Sequence, residues 1–556
     1  MARGMQCNDG DKLQQNHYTL NNSMACPKSV SHEEHFTGNC YIGIDVGTQG
    51  TKATIYHPSS GTTLGTASSS YNFDTDGVEG RAEQHPVVWV DAVKEVLIKL
   101  ASSHSLDMVE PPLYGNKLIV KGIGVSGQQH GMVVLDDDKQ PIRKAKLWCD
   151  VEAAEEAREL SELVSKVTGR PRVVPAGYTA PKVLWLKKQE HDSFEKMKHC
   201  VLPHDYITFL MGGEEELVTD AGDASGTGIF DTEKRAFDRR LADCIDGGER
   251  YFNSLPRVAV EANEVVGLLS QEWKKDVGID VNNTTEIIIS AGSGDNMCSA
   301  LGCGCVEPGM VVLSLGTSGT IFGISLSPVD TTISGIEPFC DATGHHLPLV
   351  CKMSCTGVLQ AVLDHWCSGI DSHEEASLLA EKEPPGCHGL IFLPFLGGER
   401  SPNWPNSTGS LLGLNQENMS FLMTSPGLMY RVAMEGITFN LLHGLEVMKE
   451  ACGDGFKPKQ LLVVGGGSKN SLWRQMLADI LGIPLRFPTN SESAALGAAF
   501  QAGAAECKIP VNEYVSQQCI PLEDIVIHPT LDSGTLALYR QAKMKYQESS
   551  ERLFRA

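Results

Sequence analysis

The chain is predicted to be an α/β protein of two similar lobes, on three observations. A short apolar run enters a small-residue turn twice, at Tyr41-Ile-Gly-Ile-Asp-Val-Gly-Thr-Gln-Gly-Thr-Lys52 and at Val312-Leu-Ser-Leu-Gly-Thr-Ser-Gly-Thr320, with Thr48 and Thr317 lying 269 residues apart. At 556 residues the chain is long enough for two substantial domains, each with its own core. Strand-like and helix-like segments follow each copy in similar outline, which puts the lobe boundary near residue 285.

Each turn places backbone N–H groups and hydroxyls where an anion can sit. Glycine lets a phosphate approach the backbone closely, and Thr or Ser adds donors without bulk. One such turn is an ordinary hairpin, but two at the starts of two similar halves point to a nucleotide-binding enzyme. Asp45, at the end of the first strand, adds a carboxylate that can hold Mg²⁺ directly or through water.

In the first half, Lys52 to Tyr56 and Thr62 to Phe73 read as further strands of a meander. A helix follows Pro86, with Val90, Val93, Leu97 and Leu100 on one face. Leu118 to Ser126 is a buried-looking strand that ends in Gly127-Gln-Gln-His-Gly131, followed by a strand from Met132 to Leu135. Cys149 to Leu202 reads as mainly helical, and a polar, glycine-containing stretch runs from Thr219 to Thr227. A strand at Glu286 to Ala291 is expected to open the second half. There the strand–turn–strand unit at 310–325 comes first, helices follow at about 355–382 and 428–452, and Gln460 to Val464 enters Gly465-Gly-Gly-Ser468. A strand running into glycines and then a helix, here Leu472 to Leu481, is another phosphate or nucleoside cradle. A last segment, Ala494 to Ala505, has the Ala and Gly content of close helix packing.

Composition narrows the class. With 46 basic and 69 acidic residues the net charge is −23, which argues against a nucleic-acid or anionic-membrane partner. No run of eighteen apolar residues occurs, so a membrane span is not expected. Residues 1–40 are polar and lack the apolar core of a secretory signal, and they are expected to form a disordered extension. The 17 cysteines include no Cys-x-x-Cys pair and read as reduced, mostly buried thiols of a cytoplasmic protein.

Asp295, in Ser290-Ala-Gly-Ser-Gly-Asp-Asn296, stands on a glycine turn at the lobe boundary, just upstream of the second phosphate turn. A general base for phosphoryl transfer to a hydroxyl needs such a carboxylate near the acceptor phosphate. The tripeptide is also an ordinary turn. Gln128-Gln-His130 lies at the carboxyl end of a buried strand, where open α/β sheets present ligand-binding groups, and its amides and imidazole suit a polyhydroxylated substrate. A solvated loop would read the same way. Trp473 reads as helix packing rather than as a stacking platform.

Taken together these motifs resemble the FGGY carbohydrate kinases, and within them the xylulokinases most closely. The resemblance runs from about residue 41 to 545. Ile44 to Thr48, Glu83-Gln84, Gly127 to Gly131, Gly177-Tyr-Thr-Ala-Pro-Lys182 with Trp185, Gly294 to Asn296, Leu313 to Ser318, Gly398-Glu-Arg-Ser-Pro402 and Gly465 to Asp479 fall in the family's order. The resemblance implies two actin-like, ribonuclease-H-like lobes with a nucleotide and sugar cleft between them. It divides the chain into an extension (1–40), an N-terminal sugar-binding lobe (41–285), a C-terminal ATP-binding lobe (286–545) and a tail (546–556), with a hinge near 285–295. It implies ATP-dependent phosphorylation of D-xylulose at the 5-hydroxyl. Asp295 is then the base, and Gln129, His130, Asp295 and Asn296 hold the sugar. Asp45 supports Mg²⁺, Gly47, Thr48, Gln49, Thr317 and Ser318 surround the phosphates, and Gly466, Gly467 and Asn470 lie near the adenosine. The expected partners are the ketose and ATP, with a homodimer as a candidate assembly. Many members follow the strand of Trp148 with Asp-x-Arg, where this chain has Asp150-Val-Glu152, which leaves the hydroxyl contacts open. Kinases for ribulose, a heptulose or glycerol are the alternatives within the family, and a non-catalytic actin-like nucleotide sensor is the alternative outside it.

Overall fold

The structure, a computed structural model, describes residues 37–104, 117–247, 249–367 and 369–555. The expected extension lies, through residue 36, outside the described residues. The first strand begins at Thr37 and runs to Val46.

The first sheet has seven strands. Thr37–Val46, Gly50–His57 and Thr62–Ser70 form the antiparallel meander, and Lys117–Gly127 lies parallel to the first of them on its other side. Ile288–Ser290 is parallel to Lys117–Gly127, with Ile288 opposite Gly122, and Val265–Leu268 closes that edge. The second sheet repeats the plan. Met310–Leu315, Gly319–Gly323 and His346–Lys352 form its meander, Glu337–Cys340 adds a strand at the outer edge, and Gln460–Val464 and Leu485–Arg486 lie parallel on the far side. The central strands are apolar on both faces because helices cover both faces.

Two sequence assignments shift. The strand expected to open the second lobe belongs to the first sheet, because its partner is the central strand Lys117–Gly127. The helix Ser493–Cys507, though late in the chain, packs on the first sheet against Thr37–Val46 and Lys117–Gly127. Its fit depends on missing side chains: a Cβ on Gly43 would stand 1.7 Å from the Ala495 carbonyl oxygen, and one on Gly124 would stand 2.0 Å from that of Ala498. The last helix, Ser533–Phe554, runs on past residue 545.

The helix Val87–His104 covers the meander of the first sheet and buries Trp89, Val93, Val96, Leu97 and Leu100. In the second lobe the 27-residue helix Pro426–Cys452 is buried along most of its length and packs against His346–Lys352 and the helices Thr356–Trp366, His373–Ala380 and Ser471–Leu481. The segment expected to be mainly helical contains Ala154–Thr168, Thr179–Gln189 and His191–Lys196, then turns to strand at His199–Val201. The helix Asp295–Gly302 lies where the lobes meet. Its Met297 and Ala300 share a core with Val312, Phe322, Phe339 and Leu462 of the second lobe, and its other side packs glycine to glycine on Ser493–Cys507, where a Cβ on Gly497 would lie 1.8 Å from the Cys298 carbonyl oxygen. The residue that opens this helix is therefore fixed by both lobes.

Most cysteines are as expected: fourteen are free thiols, ten of them buried. Cys519 is the exception, being disulfide-bonded. No helix among the described residues is long and apolar enough to cross a membrane.

Candidate active site

The first turn is held from below and from the side. Gly47 N–H donates to the Gly50 carbonyl at 3.0 Å, and the Gly47 carbonyl accepts from Tyr71 Oη at 2.8 Å. Gln84 Nε2 donates to the Thr48 carbonyl at 2.7 Å, and Trp148 Nε1 donates to Thr48 Oγ1 at 2.8 Å. Thr48 Oγ1 in turn donates to Gln128 Oε1 at 3.1 Å. Gln49 is exposed at the tip. Of these clamps, Gln84 belonged to a quoted motif, whereas Trp148 and Tyr71 gave no signal, because a lone aromatic in a loop reads as packing.

Asp45 sits directly below this turn. Its Oδ1 accepts from Ser126 Oγ at 2.8 Å, and burial raises its carboxyl to about 6 against the lowering effect of Ser126 and Lys52. Asp295 is its electrostatic neighbour. Burial and the like charges of Asp45 and Asp223 push Asp295 up to about 8. Asn296 Nδ2 donates to Asp295 Oδ1 at 2.8 Å and to Gln129 Oε1 at 2.9 Å. The structure thus joins Gln129, Asn296, Asp295 and Asp45 into one cluster. Gln129 Nε2 is buried and completes no hydrogen bond of ordinary geometry, although Asp223 lies on that side.

His130 is placed by strain. Its φ of 63° is in the left-handed region, which a non-glycine residue adopts only when its surroundings enforce it. Lys182 Nζ donates to the His130 carbonyl at 2.9 Å and to that of Gly177 at 2.5 Å, and Thr179 Oγ1 donates to the former at 3.2 Å. This explains the chemistry of Gly177 to Lys182, a motif that sequence reasoning quoted without giving it a task. Burial brings the Lys182 ammonium down to about 7. The His130 ring stacks on Tyr178 at 4.5 Å between centroids, with Phe339 of the second lobe at 5.6 Å. Its Nδ1 is 2.8 Å from the Gly226 carbonyl oxygen, and burial lowers its basicity to about 3. The ring is therefore neutral, with its proton on Nδ1, and Nε2 is a hydrogen-bond acceptor.

The stretch Thr219 to Thr227 turns out to be buried. Asp220 accepts from Gly222 N–H at 2.8 Å, from Asp223 N–H at 2.9 Å and from Ser293 Oγ at 2.8 Å, which ties this stretch to the segment of Asp295. His204 lies 2.6 Å from Asp223 and 3.2 Å from Asp205, all fully buried.

The second turn is clamped by a helix start. The Gly316 carbonyl accepts from Thr356 N–H at 3.0 Å and Thr356 Oγ1 at 2.6 Å. Thr317 is exposed and Ser318 half-buried. The glycine loop lies alongside: a Cβ on Gly467 would meet Leu315 Cβ at 2.9 Å and Thr356 Cγ2 at 3.1 Å, whereas one on Gly466 would meet nothing within 4 Å. Asn470 spends its side chain on the fold, accepting from Trp473 N–H at 3.0 Å and donating to Ser377 Oγ at 2.7 Å. Trp473 is buried and donates to Thr438 Oγ1 at 2.9 Å, so it is core.

Glu152 also has a task. Arg81 grips it through Nε at 2.9 Å and Nη2 at 3.0 Å, so a guanidinium is present here on the opposite segment. Glu83, Asp150 and Glu152 are the one acidic trio among the described residues close enough to share a metal ion. Lys146 Nζ already lies among them, at 3.0, 3.1 and 2.5 Å respectively, so the trio is neutralised by the protein itself. Asp45, by contrast, is a half-buried carboxylate beside a phosphate-type turn and carries no direct ion pair among the described residues. That donor set suits Mg²⁺, which takes one or two carboxylates and completes its shell with phosphate oxygens and water.

Comparison with known proteins fits this geometry. The model of the FGGY family of carbohydrate kinases, N-terminal domain, matches residues 40–302, and that of the C-terminal domain matches residues 311–506. A xylulose kinase of Haemophilus influenzae is 37% identical over 83% of this chain and 90% of its own length. A protein of Brucella ovis solved as a "xyloylose kinase" superposes with a TM-score of 0.81 at 28% identity, covering 92% of this chain and 99% of its own. A gluconate kinase of Lactobacillus acidophilus superposes with a TM-score of 0.79 at 26% identity, covering 93% of this chain and 98% of its own.

Proposed function

The chain belongs to the FGGY family of carbohydrate kinases, and from that premise we propose that it transfers the γ-phosphate of MgATP to the 5-hydroxyl of D-xylulose, giving D-xylulose 5-phosphate and ADP. The observation that carries the reading is the cluster at the lobe junction: Asp295, raised by burial and by its acidic neighbours, is linked through Asn296 to Gln129 and is the electrostatic neighbour of Asp45 under the first turn.

In this reading the 5-oxygen bonds to the γ-phosphorus as the bond to the ADP oxygen breaks, and Asp295 accepts the hydroxyl proton. Once ionised, a carboxylate whose pKa is raised is a stronger proton acceptor than an ordinary one, so turnover is expected to rise with pH as Asp295 loses its own proton. Gln129, Asn296 and His130 hold the sugar, with His130 Nε2 accepting from a hydroxyl. The turn of Gly47, Thr48 and Gln49 and the hydroxyls of Thr317 and Ser318 receive the phosphates. Gly466 and Gly467 leave open backbone for the adenosine, with Asn470 fixing that loop. Asp45 would hold Mg²⁺, which when bound neutralises charge on the transferring phosphoryl group. The shared core at the lobe junction suits a cleft that closes over both substrates and keeps water from the γ-phosphate. The reading extends to a cytoplasmic enzyme, where the free buried thiols persist, to a homodimer as its assembly, and to no nucleic-acid partner, given the charge of −23.

A second substrate class is favoured by one observation, the nearly as good superposition on a gluconate kinase. ADP release with MgATP is to be measured against D-xylulose, D- and L-ribulose, sedoheptulose, D-fructose, D-gluconate and glycerol, with a no-sugar blank. Release with D-xylulose alone supports the proposal. Preference for another member overturns the specificity and keeps the mechanism, and silence across the panel moves weight to a nucleotide sensor.

A further inference from the structure

The motif Gly398 to Pro402 has no task in the mechanism above, yet it is built with care. Glu399 is buried. Its Oε1 accepts from Met353 N–H at 3.0 Å and Arg400 N–H at 2.8 Å, and its Oε2 accepts from Asn440 Nδ2 at 2.6 Å. The buried Lys352 ammonium donates to the Ser401 carbonyl. Gly335 is packed so closely on Ser401 that a Cβ there would lie 2.7 Å from Ser401 Oγ. Two buried anchors, Glu399 and Lys352, and the close contact with Gly335 thus fix the residues on either side of Arg400 near the start of the strand Glu337–Cys340.

Arg400 itself is exposed and makes no side-chain hydrogen bond or ion pair. Its charge acts on His130, Tyr178 and Glu337, whereas the strongest like-charge influences on Asp295 come from Asp45 and Asp223. Ser401, the next residue, packs on Gly335, two residues before Glu337, whose carboxylate accepts from Tyr178 Oη, and Tyr178 stacks on His130, so Arg400 stands at the His130 end of the cleft. The polar groups already there are committed. Tyr178 Oη donates to the buried Glu337, and His130 uses Nδ1 on Gly226, which leaves only an acceptor toward the substrate.

Chemistry of the substrate supplies the second half of the argument. A ketopentose closes its five-membered ring through the 5-hydroxyl, so a molecule with that hydroxyl free to attack phosphorus is in its open-chain form and carries a free carbonyl at C2. A carbonyl oxygen can only accept, and burying it without a donor costs about 1–3 kcal/mol. His130 cannot serve it.

We propose that Arg400 is a specificity-determining residue, whose guanidinium, presented from the second lobe by the Glu399 and Lys352 anchors, donates to the carbonyl end of the open-chain ketose. The inference rests on the reading of this cleft as a ketose site. Its task is distinct from that of Asp295, which acts at the other end of the sugar.

The test is steady-state kinetics of Arg400→Gln and Arg400→Lys on the full chain with D-xylulose, with xylitol as the polyol lacking a carbonyl, and with MgATP varied. The expected result is a KM for D-xylulose raised about tenfold in Arg400→Gln and partly restored in Arg400→Lys. The KM for xylitol should move less than threefold and that for ATP should stay unchanged. An exposed, unpartnered side chain should leave the melting temperature where it was, so a lower one would signal a structural role and overturn the proposal. An unchanged KM for D-xylulose, an equal rise for xylitol, or a rise confined to ATP would overturn it too. If the unaltered enzyme itself fails to turn over D-xylulose, the function on which this inference rests has failed instead.

Discussion

The two strand–turn–strand units share a backbone plan and divide the chemistry between them. In both, a glycine carbonyl at the start of the turn is clamped from outside: Gly47 by Tyr71 and Gln128, Gly316 by the first residue of a helix. The difference lies in the side chains. Where the first unit has Asp45 facing Lys52 across its hairpin, the second has Ser314 facing Thr320. The Thr48 hydroxyl is spent on Gln128 and Trp148, whereas Thr317 is exposed and bonded to no side chain. The first turn is thus a rigid platform with a carboxylate beneath it, and the second is an open cradle with a hydroxyl to offer. The motif is repeated in backbone, but only the first copy keeps an acid, the one proposed to support a metal ion.

Each variant of one turn has its counterpart in the other, and the pair is more informative than either alone. The largest difference is expected between Asp45→Asn and Ser314→Ala. Loss of the carboxylate proposed to support Mg²⁺ should lower kcat about 100-fold, and loss of the serine should change it less than about threefold, both read by ADP release across a Mg²⁺ titration. Next comes Thr317→Val, which removes a hydroxyl free to meet a charged phosphate and should raise the KM for ATP about tenfold. Trp148→Phe removes the donor to Thr48 Oγ1 without emptying space, and a loss of roughly threefold in kcat/KM is expected because three other side chains, Tyr71, Gln84 and Gln128, still hold that turn. Equal effects of Thr317→Val and Trp148→Phe on ATP would erase the proposed division.

The smallest effect is on stability. Asp295 holds its proton to about 8 in the folded protein, while in the unfolded chain it loses it near the ordinary value of about 4. Between those limits the folded state binds more protons, so stability falls as pH rises. Asp295→Asn removes this decline. Its melting temperature should exceed that of the unaltered protein by roughly 2–4 °C at pH 8, with the gap closing toward pH 5. A constant gap would mean that the carboxylate is not held protonated.

Much of this was legible in the sequence because it is local. Both turns, their flanking strands, the helix after Pro86 and the cradle at Gly465 are read from spacing within a dozen residues. Gln129 and Asn296 are separated by 167 residues, and their bond was not visible as a contact, only as two motifs that share a family order. What failed did so where pairing is long-range. The strand Ile288–Ser290 looks like the start of a new lobe until its partner is known, and the helix Ser493–Cys507 crosses back to the first sheet because Gly43 and Gly124 leave room there. The stretch Thr219 to Thr227 reads only as polar, yet it lies in the interior, where Asp220 accepts from Asp223 N–H and Asp223 meets His204. Composition reports polarity and cannot report partners. Glu152 shows the same limit: a departure that suggested a missing guanidinium is met by Arg81, 71 residues earlier.

The central claim is that Asp295 is the base of a sugar phosphotransfer while the two turns and the glycine loop at Gly466 bind the nucleotide. Asp295→Asn tests it most directly, with ATP affinity by calorimetry and ADP release with saturating D-xylulose measured on the same preparation. The account predicts an ATP affinity within about twofold of the original and turnover lowered about 10²- to 10⁴-fold. Turnover within tenfold of the unaltered protein, with the fold intact by melting, would contradict it.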